Sequence, residues 1–195
     1  MALKKLILIS GSPCVGKSTV GKRIFEHYEN SAFCDGDWCW CVNPLSIEDT
    51  RVRNGDRNMA YLVSNYLKSD FEYVVFASVV LTDPTARENI LNNIDAEDYE
   101  VLSFQLTCTE DYLKPRHDER GLSDEVSFCW LQLPPYPGET VIDTDAKTPD
   151  QVCDEICRLI DSKKVKALKT VKKTASSKKA TAKKTTAKKS ASKAE

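Results

Sequence analysis

The chain has 195 residues, 41% of them hydrophobic and 29% charged, which suits one domain that buries its own core without covalent staples. Its formal net charge of −1 conceals a segregation: residues 163–195 hold 13 of the 28 basic residues and only one of the 29 acids, Glu195. An acidic body is therefore followed by a polycationic tail. Met1 to Ile9 offers two lysines and four strongly apolar residues before Ser10-Gly11, too short a run for a signal-peptide core or a membrane span. The eight cysteines do not sit at zinc spacings. Cys153-x-x-x-Cys157 reads as packing on one helix face, and neither histidine, His27 or His117, has a partner motif for a nucleophile triad or a metal.

Taken in order, Lys4–Ser10 is mostly apolar, as expected of a parallel strand buried on both faces. It runs into Gly11-Ser12-Pro13-Cys14-Val15-Gly16-Lys17-Ser18, which fits G-x-x-x-x-G-K-[ST], with Thr19 following. Such a loop turns its backbone N–H groups inward onto the phosphates of a nucleotide. Lys17 is expected on the β/γ-phosphates, the Ser18 hydroxyl on Mg²⁺, and the positive end of the next helix on the same anion. Val20, Ile24, Phe25 and Tyr28 keep helical period through Glu29. A protein that binds nucleotide in this way belongs in the reducing cytoplasm, where its cysteines stay free thiols.

Ala32-Phe33-Cys34 predicts a second strand ending at Asp35-Gly36-Asp37. After the Asn43-Pro44 turn, a helical stretch from about Ile47 to Lys68 is expected, broken near Asn54-Gly55. Tyr73–Ala77 is a third strand, and Asp83-Pro84 starts a helix with an N-cap and a proline in the first turn. Val101–Leu106 is a fourth strand, and Thr109-Glu110-Asp111 caps the helix after it. Residues 115–138 show no clear period, and Pro115 argues against an unbroken helix there. Val141-Ile142-Asp143 is a fifth strand, and Thr148-Pro149-Asp150-Gln151 is a capping box opening the last helix, which ends near Ser162.

Strands alternating with helices predict an α/β domain over residues 1–162, with a five-stranded parallel sheet flanked by helices. Residues 163–195, built of Lys, Ala, Thr and Ser, read as a disordered tail. In such sheets ligands sit beyond the carboxyl ends of the strands. The phosphate loop, Asp35/Asp37 and the segment Thr109–Arg120 all fall on that edge. No apolar strand ends in an acid suited to hold Mg²⁺ after the third strand, so Asp35 is the better candidate. Gly36 permits a turn that aims both carboxylates at one site, so that Asp37 can accept a proton from a substrate hydroxyl while Asp35 serves the metal. Arg116 and Arg120, four apart, share a helix face and can neutralise charge on a transferred phosphoryl group. Trp38 and Trp40, with Phe128, Trp130 and Tyr136, are candidates for an aromatic wall around a flat substrate, against the alternative that they are core.

Gly11–Ser18, Asp35-Gly36-Asp37, Leu113-x-x-Arg116-x-x-x-Arg120 and Val141-Ile142-Asp143-Thr144 together resemble the small P-loop kinases, the group of shikimate, gluconate, adenylylsulfate and nucleoside-monophosphate kinases. Within it the Asp35-to-Trp40 segment looks like that of bacterial nucleotide kinase-type proteins. The resemblance covers about residues 3–162. It implies ATP and Mg²⁺ as cofactors, a mobile lid carrying the arginines, and adenine near Asp143–Lys147. It also implies Asp35 near the metal and Asp37 near the acceptor hydroxyl.

The expected activity is phosphoryl transfer from ATP to a small hydroxyl- or phosphate-bearing acceptor, a nucleoside or nucleotide first among them, with Asp35, Asp37 and Trp38 touching it. Two other readings stay open. One is an ATP-binding module with little turnover, tethered to nucleic acid by its tail; the other is a kinase of nucleic-acid 5′ ends. The tail itself suits nonspecific contact with nucleic acid or ribosomes, folding back on the acidic body, or solubility.

Overall fold

The structure is a computed structural model that describes residues 3–44, 46, 49, 51, 54–122 and 125–172. The backbone runs β1 (Lys4–Gly11), α1 (Lys17–His27), β2 (Ser31–Asp35), α2 (Gly55–Lys68), β3 (Tyr73–Ala77), α3 (Pro84–Asn92), β4 (Tyr99–Thr107), α4 (Glu110–Glu119), β5 (Thr140–Asp143), α5 (Pro149–Asp161) and β6 (Lys169–Val171). The sheet order is β2-β3-β1-β4-β5, all parallel, with β1 at the centre.

The apolar run of β1 explains that central place. Leu6, Ile7, Leu8 and Ile9 are all fully buried, and with period two they feed two different cores. Ile7 and Ile9 face α1 and α5, where they meet Val20, Ile24, Ile156 and Ile160. Leu6 and Leu8 face α2 and α3 and meet Met59, Val63, Leu67 and Ile90. Val75 and Ala77 of β3 repeat the first pattern, and Val74 and Phe76 the second. A strand with one polar face could not occupy this position, since a helix layer covers both sides.

The helix starts follow the sequence signals. Asp83 Oδ1 accepts the Ala86 N–H at 2.7 Å ahead of α3, and Thr148 and Gln151 exchange both capping-box bonds ahead of α5. Helix α4 continues through Pro115, contrary to the break expected there. Pro115 and Asp111, whose carbonyl loses its helical donor, both lie on the exposed side, so that carbonyl is not buried without a partner. Helix α2 starts at Gly55; of the expected helical stretch before it, residues 47, 48, 50, 52 and 53 lie outside the described residues.

The sheet has a sixth strand that the sequence pattern does not predict. Residues 163–172, assigned above to the tail, fold back, and β6 pairs antiparallel with the N-terminal end of β4, Tyr99 opposite Val171. Val165 and Ala167 pack on one core, Leu168 and Val171 on the other. The apolar residues scattered between lysines 163–172 are what pay for this ordering, and they stop at Val171. Residues 173–195, and with them the expectation of a disordered tail, lie outside the described residues.

Candidate active site

The loop between β1 and α1 is shaped by backbone that few residues tolerate. Gly11, Cys14 and Gly16 have φ of 133°, 64° and 105°. At Gly11 a side chain would collide with the Leu106 carbonyl of β4. Positive φ at three positions within six residues, with ordinary backbone between them, is the kind of backbone from which anion nests are built. No side chain caps α1, so its first N–H groups add to the donors there. Ser12 Oγ is buried with no partner among the described residues. The loop thus collects donors that phosphate oxygens would satisfy.

Lys17 is 8% exposed, and its Nζ donates to the Ser12 carbonyl at 2.8 Å, folded across the loop. Burial lowers its pKa to about 8, against the opposing pull of Asp37. Asp37 responds in the other direction. Loss of water and the neighbouring Asp35 raise its pKa above the usual carboxylate range, with Lys17 and Arg120 pulling it back. Lys17, Asp37 and Arg120 meet in a cavity of about 430 Å³, lined by residues 13–20 of the loop and α1, Asp37, Val79, Arg116, Glu119, Arg120, Thr144 and Lys147.

Asp35 and Asp37 reach this edge through the short 3₁₀ turn Gly36–Trp40 that follows β2. Asp35 Oδ1 caps that turn by accepting the Asp37 N–H at 3.1 Å. The turn lies so close to β3 that a Cβ at Gly36 would meet Ser78 Oγ at 2.5 Å, so glycine is required there for packing. A second cavity of about 510 Å³ opens on the other side of the turn, between Ser18, Lys22, Phe33, Asp35, Trp38 and Leu62. Ser18 lines both cavities. It brings an oxygen donor beside the Asp35 carboxylate, a set suited to a hard cation that keeps waters and phosphate oxygens in its shell.

The two arginines both point at the loop from α4 and its C-terminus, but they are engaged differently. Arg116 donates to Thr144 Oγ1 and O, each at 2.9 Å, and more distantly to the Val15 carbonyl at 3.5 Å. It clasps the phosphate loop to the segment after β5. Arg120 Nη1 lies 3.7 Å from Cys14 Sγ, exposed at the cavity mouth.

The aromatic wall is not assembled. Trp38 alone lines a cavity; Trp40 and Phe128 pack on opposite cores, and Tyr136 lies under the Arg87 guanidinium at 4.6 Å. That last contact belongs to a buried network the sequence reading missed. Glu139 Oε1 accepts from Arg87 at 2.8 Å, Ser103 at 2.6 Å and Ser10 at 2.9 Å, with Arg87 and Glu139 side chains 0% and 1% exposed. Ser10 immediately precedes the phosphate loop, so this network braces its base. The available signal was Arg87 standing on the apolar face of α3 with Ile90 and Leu91. The eight cysteines are all free, and Cys153 and Cys157 lie 3.8 Å apart on the buried face of α5.

No family model matches the sequence, and no curated protein matches it. Solved structures do match the fold. A gluconokinase from Sinorhizobium meliloti 1021 superposes with a TM-score of 0.57 at 18% identity, over 82% of this chain and 94% of that one. The Mycobacterium tuberculosis APS kinase CysC, solved with AMPPNP and APS, gives 0.57 at 13% identity, over 83% and 99%. Thymidylate kinase from Candida albicans gives 0.55 at 17% identity, over 88% and 98%. The chain has the α/β fold of the small P-loop kinases. At these identities the likeness shows the fold. Among the described residues, no helix is long and apolar enough to cross a membrane.

Proposed function

We propose that this protein is an ATP-dependent kinase that phosphorylates a hydroxyl of a small acceptor. The observation that carries the reading is the facing pair of Lys17 and Asp37 across one cavity, a cation at the phosphate loop and a carboxylate with a raised pKa. The loop residues 11–19 cradle the phosphates of ATP, and binding draws Lys17 from the Ser12 carbonyl onto them. Asp37 accepts the proton of the acceptor O–H as that oxygen bonds the γ-phosphorus; the bond from γ-phosphorus to the bridging oxygen breaks, and ADP leaves. Ser18 and Asp35 would hold Mg²⁺, which when bound neutralises charge on the phosphates. Arg120 faces the transferred group from the cavity mouth, and Arg116 holds the loop and the segment after β5 in register.

The test is transfer of label from γ-labelled ATP to a panel of nucleosides, nucleotides and sugars. At least one acceptor is expected to be phosphorylated, and Asp37→Asn is expected to lower kcat by about 10²–10⁴ with ATP affinity kept. Normal ATP binding with no labelled product from any acceptor would overturn the kinase reading in favour of a nucleotide-binding module.

We further propose that residues 173–195 contact polyanions. Eight lysines, six of them in the adjacent pairs Lys178-Lys179, Lys183-Lys184 and Lys188-Lys189, are spaced by Ala, Ser and Thr, a composition suited to nonspecific nucleic-acid contact.

A further inference from the structure

The acceptor end of the site has a charge balance that narrows what it takes. Asp37, with Glu119, lines the cavity of the phosphate loop, and Asp35 lines the second cavity beyond the turn; when ionised, carboxylates only accept hydrogen bonds, so they match O–H and N–H donors. The cations nearby are committed elsewhere. Lys17 belongs to the phosphate loop, and Arg116 spends its donors on Thr144 and Val15 on the donor side. Lys147, on the same side, is bonded to the Asp143 carbonyl at 2.7 Å and to Glu155 at 2.9 Å. Among the described residues lining the two cavities, Arg120 and Lys22 remain. Arg120 sits over Cys14 of the phosphate loop, and Lys22 shares its charge with Glu26 one turn along α1, at 4.0 Å. In the second cavity an anion would therefore meet Asp35 and, as the one cation among the described lining residues, Lys22, without the guanidinium fork that normally receives it.

Trp38 supplies the remaining observation. It directly follows Asp37, is 77% exposed, and stands at the mouth of the cavity that Asp35 lines, with Phe33 and Leu62 behind. An indole left in water in the cavity that holds the Asp35 carboxylate is a platform on which a ring can lie while a hydroxyl reaches that carboxylate.

From this charge balance and this exposed ring we infer that the acceptor is a ring-borne alcohol with no phosphate or carboxylate of its own, an uncharged nucleoside or a neutral or amino sugar, lying against Trp38. The inference rests on the kinase reading above and deepens it. The test measures ADP release by the full-length protein with matched acceptor pairs: nucleosides against their 5′-monophosphates, glucose and glucosamine against their 6-phosphates, and gluconate as an anionic polyol. The unphosphorylated member of the productive pair is expected to exceed its partner by at least about tenfold in kcat/KM. Trp38→Ala, a change at an exposed position, is expected to raise the acceptor KM by about fivefold or more while kcat and the KM for ATP stay within about twofold. Preference for a phosphomonoester or for gluconate, or an unchanged acceptor KM in Trp38→Ala, would overturn the inference and leave the kinase reading standing. Turnover of no acceptor at all would overturn both.

Discussion

Lys17 would tie folding to the nucleotide binding proposed for it. Its ordinary pKa of 10.5 falls to about 8 in the folded protein because burial disfavours the ammonium. The lowered value means the charged form opposes folding below about pH 8, and the opposition fades as pH rises toward the unfolded value. Lys17→Met is therefore expected to abolish nucleotide binding yet to stabilise the free protein at pH 7 by about 1–3 kcal/mol, read by chemical denaturation. In the wild type, phosphates favour protonated Lys17, so above pH 8 binding must first return a proton to it. Nucleotide affinity is expected to weaken by up to about tenfold between pH 8 and 9, with proton uptake measurable by calorimetry in buffers of different ionisation enthalpy. Affinity that stays flat through this range would place the phosphates away from Lys17.

Among the elements, α3 has the least conventional attachment. Its buried face includes a guanidinium, satisfied by the Leu81 carbonyl at 2.6 Å, by Ser103 and by Glu139. Glu139 in turn accepts the Tyr136 N–H at 3.2 Å and so fixes the segment leading into β5. Removing one member of such a pair leaves the other charge buried without compensation, a loss of about 3–5 kcal/mol. Arg87→Ala is expected to show that loss in urea unfolding, and Arg87→Met with Glu139→Leu to recover most of it, since two apolar groups need no partners. A cost under about 1 kcal/mol for Arg87→Ala would mean that water replaces the pair.

At the scale of the molecule, the chain reaches the opposite end of the sheet from the phosphate loop before its last 23 residues begin. Strand β6 sits against Tyr99–Val101 at the start of β4, whereas the loop follows the carboxyl end of β1. The last described residue, Lys172, thus lies at the end of the sheet away from the site. Ending the chain at Lys172 is expected to leave the melting temperature unchanged; ending it at Ser162 also strips Val165 and Leu168 from the cores, at a cost of about 1–3 kcal/mol. Deleting 173–195 is expected to remove binding to duplex DNA that falls with salt at a log–log slope no steeper than about −7, the limit for eight lysines. Duplex binding that survives the deletion would refute the polyanion role.

The glycine pattern, the apolar strands and the capping residues act over a few neighbouring positions, which is why they were readable in the sequence. Gly11–Ser18 could only turn as it does, β1 could only lie between two helix layers, and Thr148 and Gln151 could only open a helix. The Asp35-Gly36-Asp37 turn was legible for the same reason. Other features depend on residues far apart in the chain that meet only when the sheet is assembled. Arg116, on the cavity wall, is drawn to Thr144; Arg87 finds Glu139 across 52 positions; and Lys169 to Val171 become a strand because β4 leaves an edge beside them. Charge balance at the acceptor end belongs to this second kind. The sequence by itself determined the turn of Gly11–Ser18, the place proposed for phosphate, because that shape is set by local backbone geometry. Which cations remain free to meet a second substrate was decided only by the tertiary structure, because that depends on where every neighbouring donor has already been spent.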